Sequence, residues 1–186
     1  MMARSNYYSS WTWGVPLTCI LILLSMTSCR DNKRQHGLEP LTDESFTLGL
    51  DAVLDFNTAI IDVNHLKDHY NNFTILDARD IYEYQISHLP DALHLGFEQP
   101  DWTLLDRIPK EDTLLIYCSV GYRSEKLIND ASLKGIKAYN LYGGIFEWAN
   151  RANTLIDSAG QPTKNIHAYS QFWKRFIDED KLSVVY

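Results

Sequence analysis

A cysteine placed where a buried strand meets a helix is the feature of this sequence that most directly suggests chemistry. Cys118 follows the apolar run Thr113–Tyr117 and precedes a helical pattern that starts at Arg123. At such a position, backbone N–H groups and the positive end of the helix dipole stabilise a thiolate. Gly121 gives the loop the backbone freedom that a tight anion-binding turn requires. We therefore expect a nucleophilic thiolate at Cys118 inside an anion-binding loop.

The other side chains of this loop are predicted to assist the thiolate. Arg123 supplies a fixed cation that can orient an anionic substrate or leaving group. Ser124 is expected both to hydrogen-bond the cysteine and to cap the helix. Tyr122 lies at the expected mouth of the pocket, where its ring would narrow the entrance and influence donor choice. The predicted substrate-binding loop comprises Ser119, Val120, Gly121, Tyr122, Arg123 and Ser124.

The composition indicates one folded domain with a negative charge. The chain has 186 residues, of which 45% are hydrophobic and 12% aromatic, and its net charge is −7. This apolar content is sufficient for a core. The sequence has no Lys/Arg block that could follow a phosphate backbone, so nucleic acid is not expected as a partner.

Residues 1–28 have the composition of a targeting segment. They contain one charged residue, Arg4, and the apolar run 15–26 is shorter than the about 20 residues of a spanning helix. The segment Met26-Thr27-Ser28-Cys29 resembles a bacterial lipobox. We expect a lipoprotein signal peptide over residues 1–28 and a lipid on Cys29, which would tether the domain in the bacterial cell envelope, outside the cytoplasm. An uncleaved anchor, or a signal peptide in which Cys29 has no role, stays open.

Cysteine usage singles out the same loop. The chain has three cysteines; Cys19 would leave with the signal peptide and Cys29 would carry the lipid. Cys118 would then be the only free thiol of the mature protein, with no cysteine available for an intrachain disulfide. A lone thiol in an exported protein is either inert or reactive, and the surroundings of Cys118 favour the second.

Short apolar runs alternate with helical patterns after residue 57, which predicts an α/β fold. The fold is an open, mostly parallel sheet with helices on both faces. Residues 29–57 are predicted to be a tether and domain entry, 58–152 the domain, and 153–186 a C-terminal extension. Strands are predicted over 73–76, 92–95, 113–117 and 137–141, and helices over 63–70, 81–86, 102–108, 123–134, 145–151 and 170–177.

Three motifs, in order and in register, resemble the rhodanese-like sulfurtransferase family over roughly residues 58–152. The loop CSVGYRS, which starts at Cys118, is similar to the family's active-site pattern Cys-x-x-Gly-x-Arg-Ser. The stretch DARDIYEY, followed by SHLPDA, resembles the upstream signature, with Ser87 and Asp91 in place of two glycines. YGGIFEW, which starts at Tyr142, resembles the family's Gly-Gly-x-x-x-Trp segment.

The resemblance implies a rhodanese fold and sulfur transfer in two steps, without cofactor or metal. The Cys118 thiolate would take the outer sulfur of a donor such as thiosulfate, releasing sulfite and forming a persulfide, from which a thiol or cyanide then takes the sulfur. The N–H groups of the loop would stabilise the negative charge, and Arg123 would help to orient the donor.

Loop length distinguishes this chain from phosphatases of related fold. Cys118 to Arg123 spans six residues, whereas the Cys-x5-Arg loop of tyrosine and dual-specificity phosphatases spans seven. The shorter loop makes a smaller cradle, which suits a sulfur atom better than a phosphate. Phosphatase-type anion chemistry is therefore the less favoured reading.

Four residues of the upstream signature are interpreted as structural support: Asp77, Arg79, Glu83 and His88. The resemblance implies that Arg79 and Glu83 form a scaffold ion pair and that His88 stabilises a turn. A catalytic acid or base role for Asp77, Arg79 or Glu83 is the alternative.

Three other patterns favour structural interpretations. His65 and His69 are spaced for one helix face, but no third ligand is evident nearby, so no metal site is predicted. Gly143-Gly144 lacks dinucleotide-loop spacing and is interpreted as a tight strand-to-helix turn. An apolar stripe is expected to pack on the domain, with a partner or membrane surface as the alternative; it comprises Phe172, Trp173, Phe176 and Ile177.

The sequence thus predicts a monomeric, membrane-tethered sulfurtransferase that uses Cys118. Its expected partners are a small sulfur-containing anion as donor and a thiol or cyanide as acceptor, with the membrane bound through the N-terminal lipid. A non-catalytic rhodanese-like module for protein binding or thiol sensing stays open, because fold does not fix function.

Overall fold

A computed structural model describes residues 37–132 and 135–186. The predicted signal peptide, the lipidation at Cys29 and the first part of the tether lie outside these residues. No helix in the described ranges is long and apolar enough to cross a membrane.

Five parallel strands form the central sheet: β1 (Ile60–Ile61), β2 (Phe73–Asp77), β3 (Leu93–His94), β4 (Thr113–Tyr117) and β5 (Ala138–Leu141). Their order across the sheet is β1-β5-β4-β2-β3. The two central strands, β2 and β4, pair along their full length, from Phe73 with Thr113 to Asp77 with Tyr117. Because parallel strands end at the same edge, this register brings Asp77 beside the start of the Cys118 loop.

The helices of the chain are α1 (Glu44–Val53), α2 (Val63–Asp68), α3 (Ile81–Ile86), α4 (Tyr122–Ser132), α5 (Gly144–Asn150) and α6 (Gln171–Lys174). Short 3-10 helices cover Tyr70–Asn72 and Trp102–Asp106. Apolar residues fill both faces of the sheet: one core includes Leu66, Leu115 and Phe146, and the other includes Leu114, Ile116 and Leu127. The predicted parallel α/β sheet with helices on both faces is confirmed.

Several boundaries differ from the sequence prediction. Residues 102–108 were expected to be an α-helix and instead contain a 3-10 helix at Trp102–Asp106. The helix expected over 170–177 is only the single turn Gln171–Lys174, although Phe176 and Ile177 beyond it are buried as expected of a packed stripe. The second predicted strand shortens to Leu93–His94, and residues 133–134 of the fourth predicted helix lie outside the described residues.

Helix α1 is an element that the sequence analysis assigned to the tether and domain entry. Asp43 caps its N-terminus, because one carboxylate oxygen accepts from the Ser45 N–H at 2.6 Å and the Phe46 N–H at 3.2 Å. Phe46 and Leu50, one turn apart, are fully buried in the core that also holds Phe176. The polar residues around this pair hide the periodicity in the sequence. Residues 44–53, within the segment predicted as tether and domain entry, pack into the core of the domain.

The segment after α5 forms two small sheets. Strands β6 (Leu155–Ile156) and β7 (Pro162–Thr163) pair antiparallel, whereas β8 (Asn165–His167) and β9 (Ser183–Val185) pair parallel. Strand β8 contacts α3, the helix of the upstream signature. The C-terminal extension is therefore folded onto the domain near the end of the chain's longest strands.

Candidate active site

Cys118 lies directly after β4 and is almost completely buried, with 1% of its surface exposed. Its Sγ accepts a hydrogen bond from the backbone N–H of Gly121 at 3.1 Å. Gly121 has a φ of +110°, a conformation that residues with a side chain rarely adopt. The loop therefore turns back on the sulfur and directs at least one N–H group at it before α4 begins at Tyr122.

Helix α5 supports this loop from the other side. The N–H of Ile145 donates to the Cys118 carbonyl at 3.0 Å, and the N–H of Phe146 donates to the Ser119 carbonyl at 3.2 Å. The close approach requires glycine at 144, where a Cβ would lie 2.4 Å from the Cys118 oxygen and 2.6 Å from the Ser119 oxygen. The Gly143-Gly144 pair does form the strand-to-helix turn, and its second glycine also admits the cysteine loop.

Arg123 forms a two-pronged ion pair with Glu83. Its Nη1 lies 2.6 Å from one carboxylate oxygen of Glu83 and its Nη2 lies 2.9 Å from the other. Ser119 joins them, since its hydroxyl donates to Glu83 at 3.0 Å and lies 3.0 Å from Nη2 of Arg123. The cation expected to orient a substrate is thus neutralised by a carboxylate, while the Tyr169 ring covers it at 4.8 Å.

The predicted partnership of Arg79 with Glu83 is wrong. Arg79 instead pairs with Asp77, with Nη2 at 2.6 Å from a carboxylate oxygen, and it also donates to the Ser87 carbonyl. Asp77 further accepts from the Tyr117 hydroxyl at 2.6 Å. Asp77, Arg79 and Tyr117 are fully buried, so this network braces the ends of β2 and β4 beneath the loop. Arg79 pairs with Asp77 because the two residues lie only two positions apart in the chain. Glu83 therefore remains available to pair with Arg123.

These contacts shift the pKa values of the charged pair. Burial alone would raise the pKa of Glu83, but the hydrogen bonds and charge of Arg123, together with the charge of Arg79, hold it below its usual value. Burial also opposes the charge of Arg123, yet its hydrogen bonds to Glu83 and its electrostatic interactions with Cys118 and Glu83 raise its pKa overall. Both residues therefore stay charged around neutral pH.

Ser124 contacts groups other than the Cys118 sulfur, which is its predicted partner. The Ser124 hydroxyl lies 3.1 Å from the Gly121 carbonyl and 2.7 Å from Oδ1 of Asn140, so the expected hydrogen bond from Ser124 to Cys118 is not formed. Asn140 also donates to the Gly121 carbonyl at 2.9 Å and fixes the glycine from β5. His88 stacks on the Tyr84 ring at 4.0 Å between centroids and pairs with Ile156 through the backbone, which places it in an isolated β-bridge just before the turn at residues 90–91.

A cavity of about 480 Å³ opens over Cys118. The cysteine loop forms its floor, and its walls come from α1 and from the segment around α6. The lining residues are Ala52, Val53, Cys118, Ser119, Val120, Tyr122, Arg123, Tyr169 and Trp173. Tyr122 lines the cavity with 42% of its surface exposed. The sequence analysis did not identify Ala52, Val53, Tyr169 or the site role of Trp173, because these residues belong to segments far from the motifs.

The remaining candidates lie away from this cavity or serve packing. His65 and His69 stack on each other, with ring centroids 4.6 Å apart, and no group of three or more metal-ligating side chains occurs within the described residues. In the apolar stripe, Phe176 and Ile177 are buried, while Phe172 is 51% exposed. Trp173 packs against Phe176 and reaches the cavity wall.

Comparisons with known proteins match the same region. The chain is 31% identical over 90 residues to the tRNA uridine(34) hydroxylase of Bdellovibrio bacteriovorus, covering 46% of this chain and 26% of that protein. It is 34% identical over 71 residues to the tRNA sulfurtransferase of Desulfurococcus amylolyticus, covering 38% of this chain and 14% of that protein. The chain thus spans about a quarter or less of these relatives.

A solved structure shares the fold. The thiosulfate sulfurtransferase from Pseudomonas aeruginosa superposes with a TM-score of 0.52 and 20% identity, over 71% of this chain and 26% of that one. The family model described as a rhodanese-like domain matches residues 62–151, which include β2, the upstream signature, the Cys118 loop and α5. Residues 62–151 of this chain therefore match the rhodanese-like domain family.

Proposed function

We propose that the protein is a sulfurtransferase in which Cys118 carries the transferred sulfur as a persulfide. The observation that carries the proposal is the position of the Cys118 sulfur at the floor of a cavity, 3.1 Å from the Gly121 N–H. A donated N–H and the start of a helix favour negative charge at this point, both on the thiolate and on the terminal sulfur of a persulfide.

The reaction divides into two displacements. The Cys118 thiolate attacks the outer sulfur of a donor such as thiosulfate; the S–S bond of the donor breaks, and sulfite leaves with the electron pair. An acceptor thiolate or cyanide then attacks the outer sulfur of the persulfide, and the bond to Cys118 breaks. The Cys118 thiolate returns to its starting state, so no cofactor is required.

The charged residues have a positioning role in this proposal. Glu83 holds Arg123 through two hydrogen bonds, and Arg123 and Ser119 share a contact that keeps the loop curled around the sulfur. Asp77 and Arg79 are buried beneath the loop and outside the cavity lining, which supports bracing rather than proton transfer. Ser124 acts through Gly121 and Asn140 instead of through the sulfur.

The proposed acceptor is a small thiol rather than an RNA. Two relatives are named for tRNA modification, but the chain covers only 26% and 14% of them. The net charge of −7 opposes binding to a phosphate backbone. We further propose that the chain is a lipoprotein attached through Cys29 in the cell envelope, which rests on the sequence pattern of residues 1–29.

Thiol sensing by the same cysteine is the second candidate, favoured by one specific observation. Cys118 is 1% exposed, and the cation beside it is already paired with Glu83, so the site resembles a protected thiol as much as an open catalytic one. A sensor would form a persulfide or sulfenic acid reversibly without passing sulfur onward. Phosphatase chemistry has less support, because the paired Arg123 would bind a phosphate dianion weakly.

Intact-protein mass spectrometry of the reduced full chain in detergent tests the proposal. Thiosulfate should add one sulfur atom to the wild-type chain, and cyanide should remove it. Cys118→Ser should gain nothing, whereas Cys29→Ser, a matched change at another cysteine, should behave as wild type. Uptake by Cys118→Ser, or none by folded and reduced wild type, would refute the proposal. Uptake that a thiol reverses, but without repeated turnover of donor and acceptor, would instead identify a sensor.

A further inference from the structure

The cavity over Cys118 is much larger than thiosulfate. That donor has five heavy atoms, and at about 30 Å³ for an atom of water size it would fill about a third of the 480 Å³ available. Pockets of this volume are typical of organic ligands. The unfilled space therefore suits a donor with a substituent beyond the reacting sulfur.

The walls of this space are apolar and aromatic. Helix α1 contributes Ala52 and Val53, and three aromatic rings face the cavity from two sides: Tyr122, Tyr169 and Trp173. Among the described residues that line the cavity, Arg123 alone is charged. Aromatic rings in a cavity wall favour an apolar ligand group, and an aromatic group gains further from ring stacking.

Electrostatics also disfavour a doubly charged donor. Glu83 neutralises Arg123, and Asp80 adds a second carboxylate 3.6 Å from its Nη1. Thiosulfate carries two negative charges and would meet a cation already matched by nearby carboxylates. An organic thiosulfonate carries one negative charge on its sulfonyl-sulfur group, which the loop N–H groups near Cys118 can stabilise.

Tyr169 and Trp173 are well placed to select the substituent. The Tyr169 N–H donates to Nδ1 of His167 at 3.0 Å, and its ring covers the Arg123 guanidinium at 4.8 Å. Trp173 packs on the buried Phe176 with ring centroids 5.6 Å apart. The Tyr169 ring is held by Arg123 of the cavity lining and the Trp173 ring by Phe176 behind the wall, so both rings are in place before a ligand binds.

We propose that the Cys118 site prefers a sulfur donor that carries one negative charge and an apolar, aromatic substituent, and that Tyr169 and Trp173 determine this specificity. The inference rests on the proposed sulfurtransferase function. With an aryl thiosulfonate, the Cys118 thiolate attacks the terminal sulfur, the donor's S–S bond breaks, and an aryl sulfinate leaves with the electron pair. The products are the Cys118 persulfide and the sulfinate, with atoms and charge conserved.

Three donors distinguish the effect of donor charge from the effect of apolar surface area: thiosulfate, methanethiosulfonate and benzenethiosulfonate. Rates of persulfide formation on the full chain are measured by intact mass and divided by each donor's rate with free cysteine, which removes intrinsic reactivity. We expect benzenethiosulfonate to exceed methanethiosulfonate at least tenfold in kcat/KM, and methanethiosulfonate to exceed thiosulfate. Equal normalised rates for the two thiosulfonates would overturn the inference.

Variants test the assigned residues. Trp173→Ala and Tyr169→Ala should each reduce the benzene-to-methane preference about fivefold, and a circular dichroism spectrum that matches wild type reports a folded protein. Tyr82→Ala, a change at an aromatic residue that is 76% exposed and outside the cavity lining, should keep the wild-type preference. An unchanged preference in both cavity variants would overturn the assignment. Absence of sulfur uptake from every donor would instead refute the proposed function itself.

Discussion

Glu83 and Arg123, 40 residues apart in the chain, form the ion pair that joins the upstream signature to the cysteine loop. Their side chains are 3% and 10% exposed, and both hydrogen bonds are 2.9 Å or shorter. A pair so enclosed is costly to break, because the residue that remains keeps a buried charge without a partner. The pair therefore has consequences for stability as well as for the site.

Glu83→Gln should destabilise the protein by about 3–5 kcal/mol at pH 7, since Arg123 would lose its counter-charge. Urea unfolding followed by circular dichroism measures this loss. The matched control is Asp55→Asn, which removes the partner of Lys126 from an exposed ion pair and should leave stability almost unchanged. Similar losses in the two variants would contradict a special role for the buried pair.

The same pair predicts an acid dependence. The pKa of Glu83 lies below its ordinary value of 4.5, because Arg123 and Arg79 outweigh the effect of burial. A lowered carboxyl pKa gives stability that is present above pH 4.5 and lost as the pH falls through the lowered value. The stability difference between wild type and Glu83→Gln should therefore shrink below pH 4.5. If this stability difference instead grew as the pH fell, the pKa of Glu83 could not be lowered in the folded protein.

Gly144→Ala tests the contact between α5 and the cysteine loop. An added Cβ would lie 2.4 Å from the Cys118 carbonyl, so the loop or the helix must move. Gly160→Ala is the matched control: its φ of +73° imposes a similar backbone strain, but no atom lies within 4 Å of the added Cβ. We expect about 1–2 kcal/mol for Gly160→Ala and a larger loss for Gly144→Ala.

The two glycine variants should also differ in sulfur uptake, measured by intact mass under conditions where both are folded. Gly160→Ala should take up sulfur as wild type does, whereas Gly144→Ala should be slower at least tenfold, because the Cys118 loop is displaced. Equal stability and equal uptake in both variants would contradict the requirement for glycine at 144.

The parts of the structure predicted from sequence are those encoded by local patterns. Strand β4 and helix α3 have the predicted boundaries, because an apolar run and a helical period lie within each segment. The ion-pair partners of the buried arginines are harder to predict from the sequence. The upstream signature predicts that Arg79 pairs with Glu83, yet Asp77 lies two residues from Arg79 and pairs with it. Arg123 reaches Glu83 only after β2 and β4 pair.

The residues of the cavity wall likewise cannot be predicted from local sequence patterns. Ala52 and Val53 lie on a helix with a short apolar stripe, and Tyr169 and Trp173 follow a segment with no recognisable motif. None of these residues has a neighbour in sequence that signals a site. They meet where Phe46 of α1 stacks on Phe176 with ring centroids 4.9 Å apart, a contact between distant segments that local periodicity does not encode.

His167 should titrate below its ordinary pKa of 6.5. Burial and the charges of Arg79 and Arg123 lower the pKa, and Glu83 and Asp80 offset part of this. Its Nδ1 also accepts the Tyr169 N–H at 3.0 Å, which favours the neutral ring. The stability that neutral His167 provides is present above pH 6.5 and lost as the pH falls below it.

An NMR titration of the His167 ring measures this pKa directly. Asp80→Asn should lower the midpoint further, since the Asp80 charge favours the protonated ring. Asp80 is an exposed residue, with 58% of its side chain accessible, so the change should leave the fold intact. A titration midpoint of His167 at or above pH 6.5 in the wild type, or a higher midpoint in Asp80→Asn, would contradict this account of the charges around His167.

Phe176→Ala tests whether segments outside residues 62–151 are integral to the domain. Phe176 is 4% exposed, stacks on Phe46 of α1 and supports Trp173 at the cavity wall. Removing its ring should cost about 3–5 kcal/mol in urea unfolding, because a buried cavity would remain between the two segments. Phe172→Ala, four residues earlier and 51% exposed, should cost less than about 1 kcal/mol. If both changes cost equally little, α1 and the C-terminal segment would be peripheral; a selective loss makes them part of the fold that builds the site.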